Sequence, residues 1–313
     1  MIAKDAKIFI AGHRGMVGSA VLRKYTNEGY SNIITRTRDE LDLCDEQAVT
    51  EFFVNEKPEY VILSAAKVGG INANMNFKAE FLYDNLKIQN NVIMQAYKNG
   101  AKKLCFLGSS CIYPCQCPQP IKEEYLLTGP LEPTNEGYAL AKIAGYKLCC
   151  YLSEQYDFNT ISLMPCNLYG ENDHFDYANS HVLSALVRRF SDAVANGDES
   201  VTCWGTGTPR REFLNVDDMA SAVYFLMENY NDPGFVNVGS GKDVSIKELA
   251  EMIAEHAGFT GEIIWDSSKP DGMKLKCMDV SKIKALGWEN KISLREGISS
   301  LIAEYKRKFL DKN

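Results

Sequence analysis

The sequence predicts an α/β fold: a doubly wound parallel sheet followed by a smaller α/β domain. Three observations carry this. Short apolar runs alternate with segments of helical period through the first 170 residues. The first run ends in a glycine-rich turn that opens a helix. After residue 170 the alternation loosens and the connecting segments become more polar.

The elements follow in order. "KIFIAG" (7–12) is an apolar run too short for a helix, and "MVGSAVLRKYTNEG" (16–29) has helical spacing. "NIITR" (32–36) reads as a second strand and "DEQAVTEFFVNEK" (45–57) as a helix with an acidic start. "YVILSAA" (60–66) is a buried strand, and the helical run 77–100 stops at a glycine. "KLCFLGSS" (103–110) is a strand, 138–156 a helix, and "NTISLMPCNLYG" (159–170) one more strand. Beyond it, 181–197 is helical and "VTCWGTG" (201–207) extended. The helix at 217–230 has Asp217 at or near its N-cap. The helix at 245–258 carries a Ser245–Glu248 capping box and a Gly258 stop, and "SLREGISSLIAEYKRKF" supplies a last helix. The expected plan is a Rossmann-type nucleotide-binding domain over 1–169, with segments around 213–240 returning to it, and a second domain mainly over 170–313.

The 313 residues are 45% hydrophobic and 24% charged, ordinary globular composition with room for two domains. A net charge of −7 argues against a nucleic-acid partner, which wants a basic face. No apolar run approaches the ~20 residues of a membrane span, and the N-terminus interrupts any signal-like stretch with Lys4 and Asp5. The expectation is a soluble cytoplasmic protein without a membrane partner. Its ten cysteines then read as reduced thiols, most of them inside apolar patterns.

Gly12, Gly15 and Gly18 lie between the first strand and its helix. Such a turn lets backbone approach a pyrophosphate at a helix N-terminus. The spacing is G-x-x-G-x-x-G, not the commoner G-x-G-x-x-G, and position rather than pattern makes it informative. NAD proteins often place an acid at the end of the second strand. Here Arg36 and Arg38 stand in that region, with Arg14 in the glycine loop, which favours the 2′-phosphate of NADP.

"YALAK" puts Tyr138 and Lys142 four apart, on one helix face. An ammonium beside a phenol favours the phenolate, and Ser109 at the preceding strand end can bond the same substrate oxygen. Such a triad protonates an alkoxide as hydride reaches its carbon. Alone, Y-x-x-x-K is common; the glycine loop, the alternation and the strand-end serine give it weight.

With these motifs the chain resembles the extended short-chain dehydrogenase/reductases that act on nucleotide sugars. The blocks "FIAGHRGMVGSA", "AAKVGGI", "FLGSSCIYP", "LEPTNEGYALAKIAG", "NLYG", "ANSH", "WGTGTPRREFLNVDDMA" and "SKPDG" resemble the branch that turns GDP-4-keto-6-deoxy-D-mannose into GDP-L-fucose. The resemblance runs from residue 7 to near the C-terminus. It implies epimerisation at C3 and C5, then reduction of C4 with NADPH. The ketone acidifies both neighbouring carbons, so the first chemistry needs a group that removes a proton and one that returns it. The resemblance assigns these roles to Cys111 and His181, with Ser109, Tyr138 and Lys142 at the carbonyl. It implies cofactor contacts from Gly12, His13, Arg14, Gly15, Met16, Val17, Gly18 and Arg38; from Leu107, Gly108, Ser109 and Ser110; from Tyr138 and Lys142; and from Pro165, Cys166, Asn167, Leu168 and His181. It implies sugar-nucleotide contacts from Asn167, Arg189, Trp204, Arg211, Asp271 and Lys276, with Arg210 and Lys274 as competitors of their neighbours. It also implies a homodimer, built from the helices at 77–100 and 138–156.

Other readings are weaker. A metal site is not expected: Cys111, Cys115 and Cys117 have no fourth ligand nearby. His174 is the decoy histidine, and His256 ends a helix. A nucleotide-sugar dehydratase would want an Asp-Glu pair where Ser110 and Cys111 stand, and a C4 epimerase an acid near Arg36 and Arg38. A non-catalytic NADP sensor would not need Tyr138, Lys142, Cys111 and His181 together.

Overall fold

Buried apolar runs build the first sheet. The computed structural model describes residues 1–176, 180–269 and 271–311. The chain runs β1 (Ile8–Ala11), α1 (Met16–Asn27), β2 (Ile33–Ile34), α2 (Glu46–Glu56), β3 (Tyr60–Leu63), α3 (Ile71–Asn76), α4 (Lys78–Lys98), β4 (Lys103–Leu107), α5 (Glu136–Tyr156) and β5 (Thr160–Pro165). It continues through β6 (Asn167–Tyr169), α6 (Val182–Asn196), β7 (Ser200–Trp204), β8 (Arg210–Asn215), α7 (Val216–Asn229) and β9 (Phe235–Val238). Last come β10 (Asp243–Ser245), α8 (Ile246–Ala257), β11 (Glu262–Asp266), β12 (Leu275–Lys276), α9 (Ser281–Ala285) and α10 (Leu294–Tyr305).

The six-stranded sheet is ordered β2-β1-β3-β4-β5-β9, and every pair is parallel. Its central strands are buried throughout, which is why they read as continuous apolar runs. The order reverses between β1 and β3, and a ligand crevice opens at such a switch point, at the strands' carboxyl ends. A second sheet centres on β8, antiparallel to β10 and parallel to β12 and β6, beside a β7–β11 ribbon. Two hydrophobic clusters result. One lies around the six-stranded sheet, the other between α6, α8 and α10 and the second set of strands.

Two local expectations change, and a third, Asp217 near an N-cap, is made specific. The strand expected over 32–36 forms only at Ile33–Ile34. The strand expected over 159–170 divides at Cys166, and its two parts enter different sheets. The N-cap of α7 is Asn215, whose side chain accepts from Asp217 N–H; Asp217 sits in the first turn. The Ser245–Glu248 capping box and the Gly258 stop form as expected, and Ser293–Glu296 makes a second box.

Candidate active site

The crevice is a cleft of about 1980 Å³ running from the glycine turn to the segments after β12's neighbour β8. At one end, Gly12 takes a φ of +89°, a left-handed conformation that glycine adopts without strain. A Cβ there would lie 2.7 Å from Ala65 N, and one at Gly18 would lie 2.6 Å from the Gly12 carbonyl carbon. Only glycines let β1, α1 and the end of β3 meet this closely. Gly15 is the N-cap of α1 and has no side chain to satisfy the first-turn N–H groups, which are left for an anion. This turn therefore fits a dinucleotide pyrophosphate.

Gly12, Gly15, Met16, Val17, Gly18 and Arg38 line this end. Arg36 is tied to Glu56 at 2.6 Å, whereas Arg38 is 83% exposed and, among the described residues, makes an ion pair with Asp42 alone, at 3.7 Å. Arg38 is thus the guanidinium placed to reach a phosphate. His13 and Arg14, expected at the cofactor, are absent from the wall. Burial, followed by the nearby Arg14, lowers the His13 pKa.

In the middle, β4 delivers Leu107, Gly108, Ser109 and Ser110, and α5 delivers Tyr138 and Lys142, all onto the cleft wall. Burial pushes the Tyr138 phenol up, Cys111 adds to this, and the Ser109 hydroxyl pulls it down. Burial brings the Lys142 ammonium down to about 8, and its Nζ donates to the Leu107 carbonyl at 2.8 Å. Nζ lies 5.7 Å from the centroid of the Tyr138 ring. The expected lowering of the phenol by Lys142 is not the dominant effect here; burial is. A phenol held protonated is suited to giving a proton.

Cys111 lies in a short turn (110–112) whose backbone is set by Ser109: the Cys111 N–H donates to Ser109 Oγ at 3.2 Å. Asn135 Nδ2 donates to the Cys111 sulfur at 3.4 Å. Cys115 and Cys117 also line the cleft, and burial raises the Cys117 thiol. Among the described residues no group of side chains could hold a metal ion.

His181 is the N-cap of α6 and its ring is 55% exposed on the same wall. Its Nδ1 stands 3.9 Å from Asp173 Oδ1. That carboxylate raises the imidazole pKa, against the opposing effect of desolvation. Asp173 is buried and fixed by Ser184 Oγ and by His174 N–H at 2.8 Å. Sequence reasoning missed Asp173, which sits in a polar loop with no periodic signal. Ala178 and Asn179 of the "ANSH" block lie outside the described residues.

At the far end, Pro165, Cys166, Asn167 and Leu168 line the floor, and Asn167 Nδ2 is held by the Glu212 carbonyl at 2.8 Å. Arg189 stacks its guanidinium 5.2 Å from the Trp204 ring centroid. Arg211, half-buried, bonds the Met273 carbonyl at 2.6 Å and faces the cleft; Arg210, on the other strand face, pairs with Asp243 and Glu248. Strand alternation separates the two arginines. Asp271 bonds Thr206, and Lys276 and Lys274 both line the wall.

A parallel sheet with a phosphate turn at its switch point, and a Ser–Tyr–Lys set beside it, defines a dinucleotide-dependent epimerase or dehydratase. Residues 8–239 match the NAD dependent epimerase/dehydratase family, and the chain belongs to it. It is 56% identical over 312 residues to an Arabidopsis thaliana protein named putative GDP-L-fucose synthase 2, covering 100% of this chain and 95% of the relative. It is 50% identical to the GDP-L-fucose synthase of Escherichia coli K12, covering 94% of each. A GDP-mannoheptose C4 reductase from Campylobacter jejuni, solved with NADP bound, superposes with a TM-score of 0.90 at 40% identity, covering 98% of this chain and 100% of that one.

Proposed function

We propose that this chain converts GDP-4-keto-6-deoxy-D-mannose to GDP-L-fucose, by epimerisation at C3 and C5 followed by NADPH-dependent reduction at C4. One observation carries the reading: the Cys111 thiol and the His181 imidazole share a cleft with Ser109, Tyr138 and Lys142. In this reading Ser109 and Tyr138 donate hydrogen bonds to the C4 carbonyl oxygen and stabilise the enolate. Cys111 takes the proton from carbon. His181, whose protonated form Asp173 favours, returns one. The glycine turn holds the pyrophosphate and Arg38 the 2′-phosphate of NADPH. NADPH bound there supplies hydride to C4. Tyr138 gives its proton to the C4 oxygen, with Lys142 compensating the phenolate left behind. Arg189, Trp204, Arg211, Asp271, Lys276 and Asn167 hold the GDP-sugar.

The protein acts in the cytoplasm as a homodimer through α4 and α5. Val92 and Leu152 are buried within the subunit and unavailable to a partner. Tyr83, Leu140 and Tyr151 are exposed on those helices and offer the apolar contact instead.

The test is incubation with the keto sugar and NADPH in heavy water. Deuterium is expected at C3 and C5 of the product. Cys111→Ser should suppress exchange by about 10²-fold or more, and Tyr138→Phe should slow NADPH oxidation by a similar factor. Full exchange in Cys111→Ser, with loss in Cys115→Ser, would sink the assignment.

A further inference from the structure

Asn135 immediately precedes α5, three residues before Tyr138. Asparagine is favoured at an N-cap because its side-chain oxygen accepts a first-turn N–H. Here that bond is not made, and the Asn135 backbone sits at φ −132°, ψ 18°. The side chain instead turns its amide N–H onto the Cys111 sulfur, 3.4 Å away. Oδ1 is left buried with no partner among the described residues. The residue thus forgoes a cap and leaves an acceptor unpaired, and what it gains is one hydrogen bond to a thiol. A donor aimed at sulfur stabilises thiolate over thiol, as any hydrogen bond to a charged form does.

The cleft that holds this sulfur is also lined by Tyr138 and Lys142 of α5, Glu132 in the loop before it, Cys115 and Cys117 beyond the 110–112 turn, His181 of α6, the Lys67–Asp84 ion pair and Lys276, among other titratable groups. Lys142 is committed to the Leu107 carbonyl and His181 to Asp173. Ser109 Oγ accepts from the Cys111 backbone N–H. Among the described residues, Asn135 supplies the side-chain hydrogen bond to sulfur.

We propose that Asn135 is a positioning residue for epimerisation, its amide N–H fixing the Cys111 sulfur for the proton it takes from carbon. This rests on the assignment of Cys111 above. It also separates the two chemistries: the hydride step does not use the thiol, so Asn135 should matter to exchange more than to NADPH binding.

The experiment compares Asn135→Ala and Asn135→Asp with the unmodified enzyme and with Cys111→Ser. In Asn135→Ala, deuterium exchange and the rate of Cys111 alkylation by iodoacetamide, followed by peptide mass spectrometry, should both fall about tenfold near neutral pH. In Asn135→Asp the carboxylate opposes the thiolate, so both should fall further. Aspartate is also a good N-cap, so the melting temperature of this variant should hold or rise. A merely structural role predicts the reverse: stability falling together with exchange and NADPH affinity. Combined with Cys111→Ser, Asn135→Ala should cause no additional loss. If Cys111→Ser abolishes exchange while the Asn135 variants keep normal exchange and alkylation, the inference is wrong and the catalytic assignment stands. Faster alkylation in Asn135→Ala would mean that the amide oxygen faces the thiol, and overturns it as well. If Cys111→Ser leaves exchange intact, the underlying assignment has failed instead.

Discussion

Replacing Gly18 by alanine tests the phosphate turn directly. The new Cβ would stand 2.6 Å from the Gly12 carbonyl carbon and 2.7 Å from Ser64 Oγ, where ordinary contact begins at 3.4 Å. The obstacle is backbone on one side, so α1 must move rather than a side chain. Overpacking of this kind costs about 1–3 kcal/mol. Unfolding entropy scales with chain length, so for a protein of this size the melting temperature should drop by about 2–5 °C. Displacing the N-terminus of α1 also removes charge-assisted hydrogen bonds to the pyrophosphate, each worth about 1.5–3 kcal/mol. NADPH affinity should weaken by about 10–100-fold. Gly15→Ala is the companion. Its Cβ meets Gly12 O at 3.5 Å, and its φ of −76° suits any residue. This variant should melt normally, yet its methyl lies on the cleft wall and obstructs the pyrophosphate. Calorimetry for stability and fluorescence titration with NADPH for affinity separate the two effects. Gly18→Ala with unchanged stability and affinity, or Gly15→Ala destabilised to the same degree, would refute this account of the turn.

Asp173→Asn should shift the alkaline limb of the deuterium-exchange profile to lower pH. The carboxylate raises the His181 pKa above 6.5, so without it the imidazolium is lost earlier as pH rises. The same pair stabilises the fold fully below pH 6.5, and that contribution disappears as pH rises through the raised native value. An unchanged profile would remove Asp173 from the mechanism. Arg38→Ala should raise the KM for NADPH by about 10–100-fold while leaving that for NADH nearly unchanged. Equal effects on both cofactors would mean that Arg38 does not read the 2′-phosphate.

Much of this arrangement was legible because it depends on local rules. The glycines of 12–18, the four-residue Tyr138–Lys142 spacing and the Ser245–Glu248 box each express a backbone or helix constraint over a few residues. Which arginine faces the cleft is also local, but it needs the strand register, and only the pairing of β8 with β10 and β12 supplies that. Asp173 and Asn135 could not be read this way. Their partners lie across a loop or 24 residues away, and an isolated aspartate or asparagine in a polar segment resembles ordinary turn chemistry. The break at Cys166 was missed for a different reason: β5 and β6 form one apolar run, and hydrophobicity does not record a change of sheet.

That break has a mechanical consequence. The chain passes from one sheet to the other through Cys166 alone, whose N–H is anchored to the Val238 carbonyl at 3.0 Å. It crosses again at Asn215–Val216, where β8 runs straight into α7. Neither of these passages has slack; a third crossing, from β9 to β10, takes the four residues 239–242. Two of the three crossings between the sheets thus have no linker residues to spare, which ties the two lobes closely together beside the cleft.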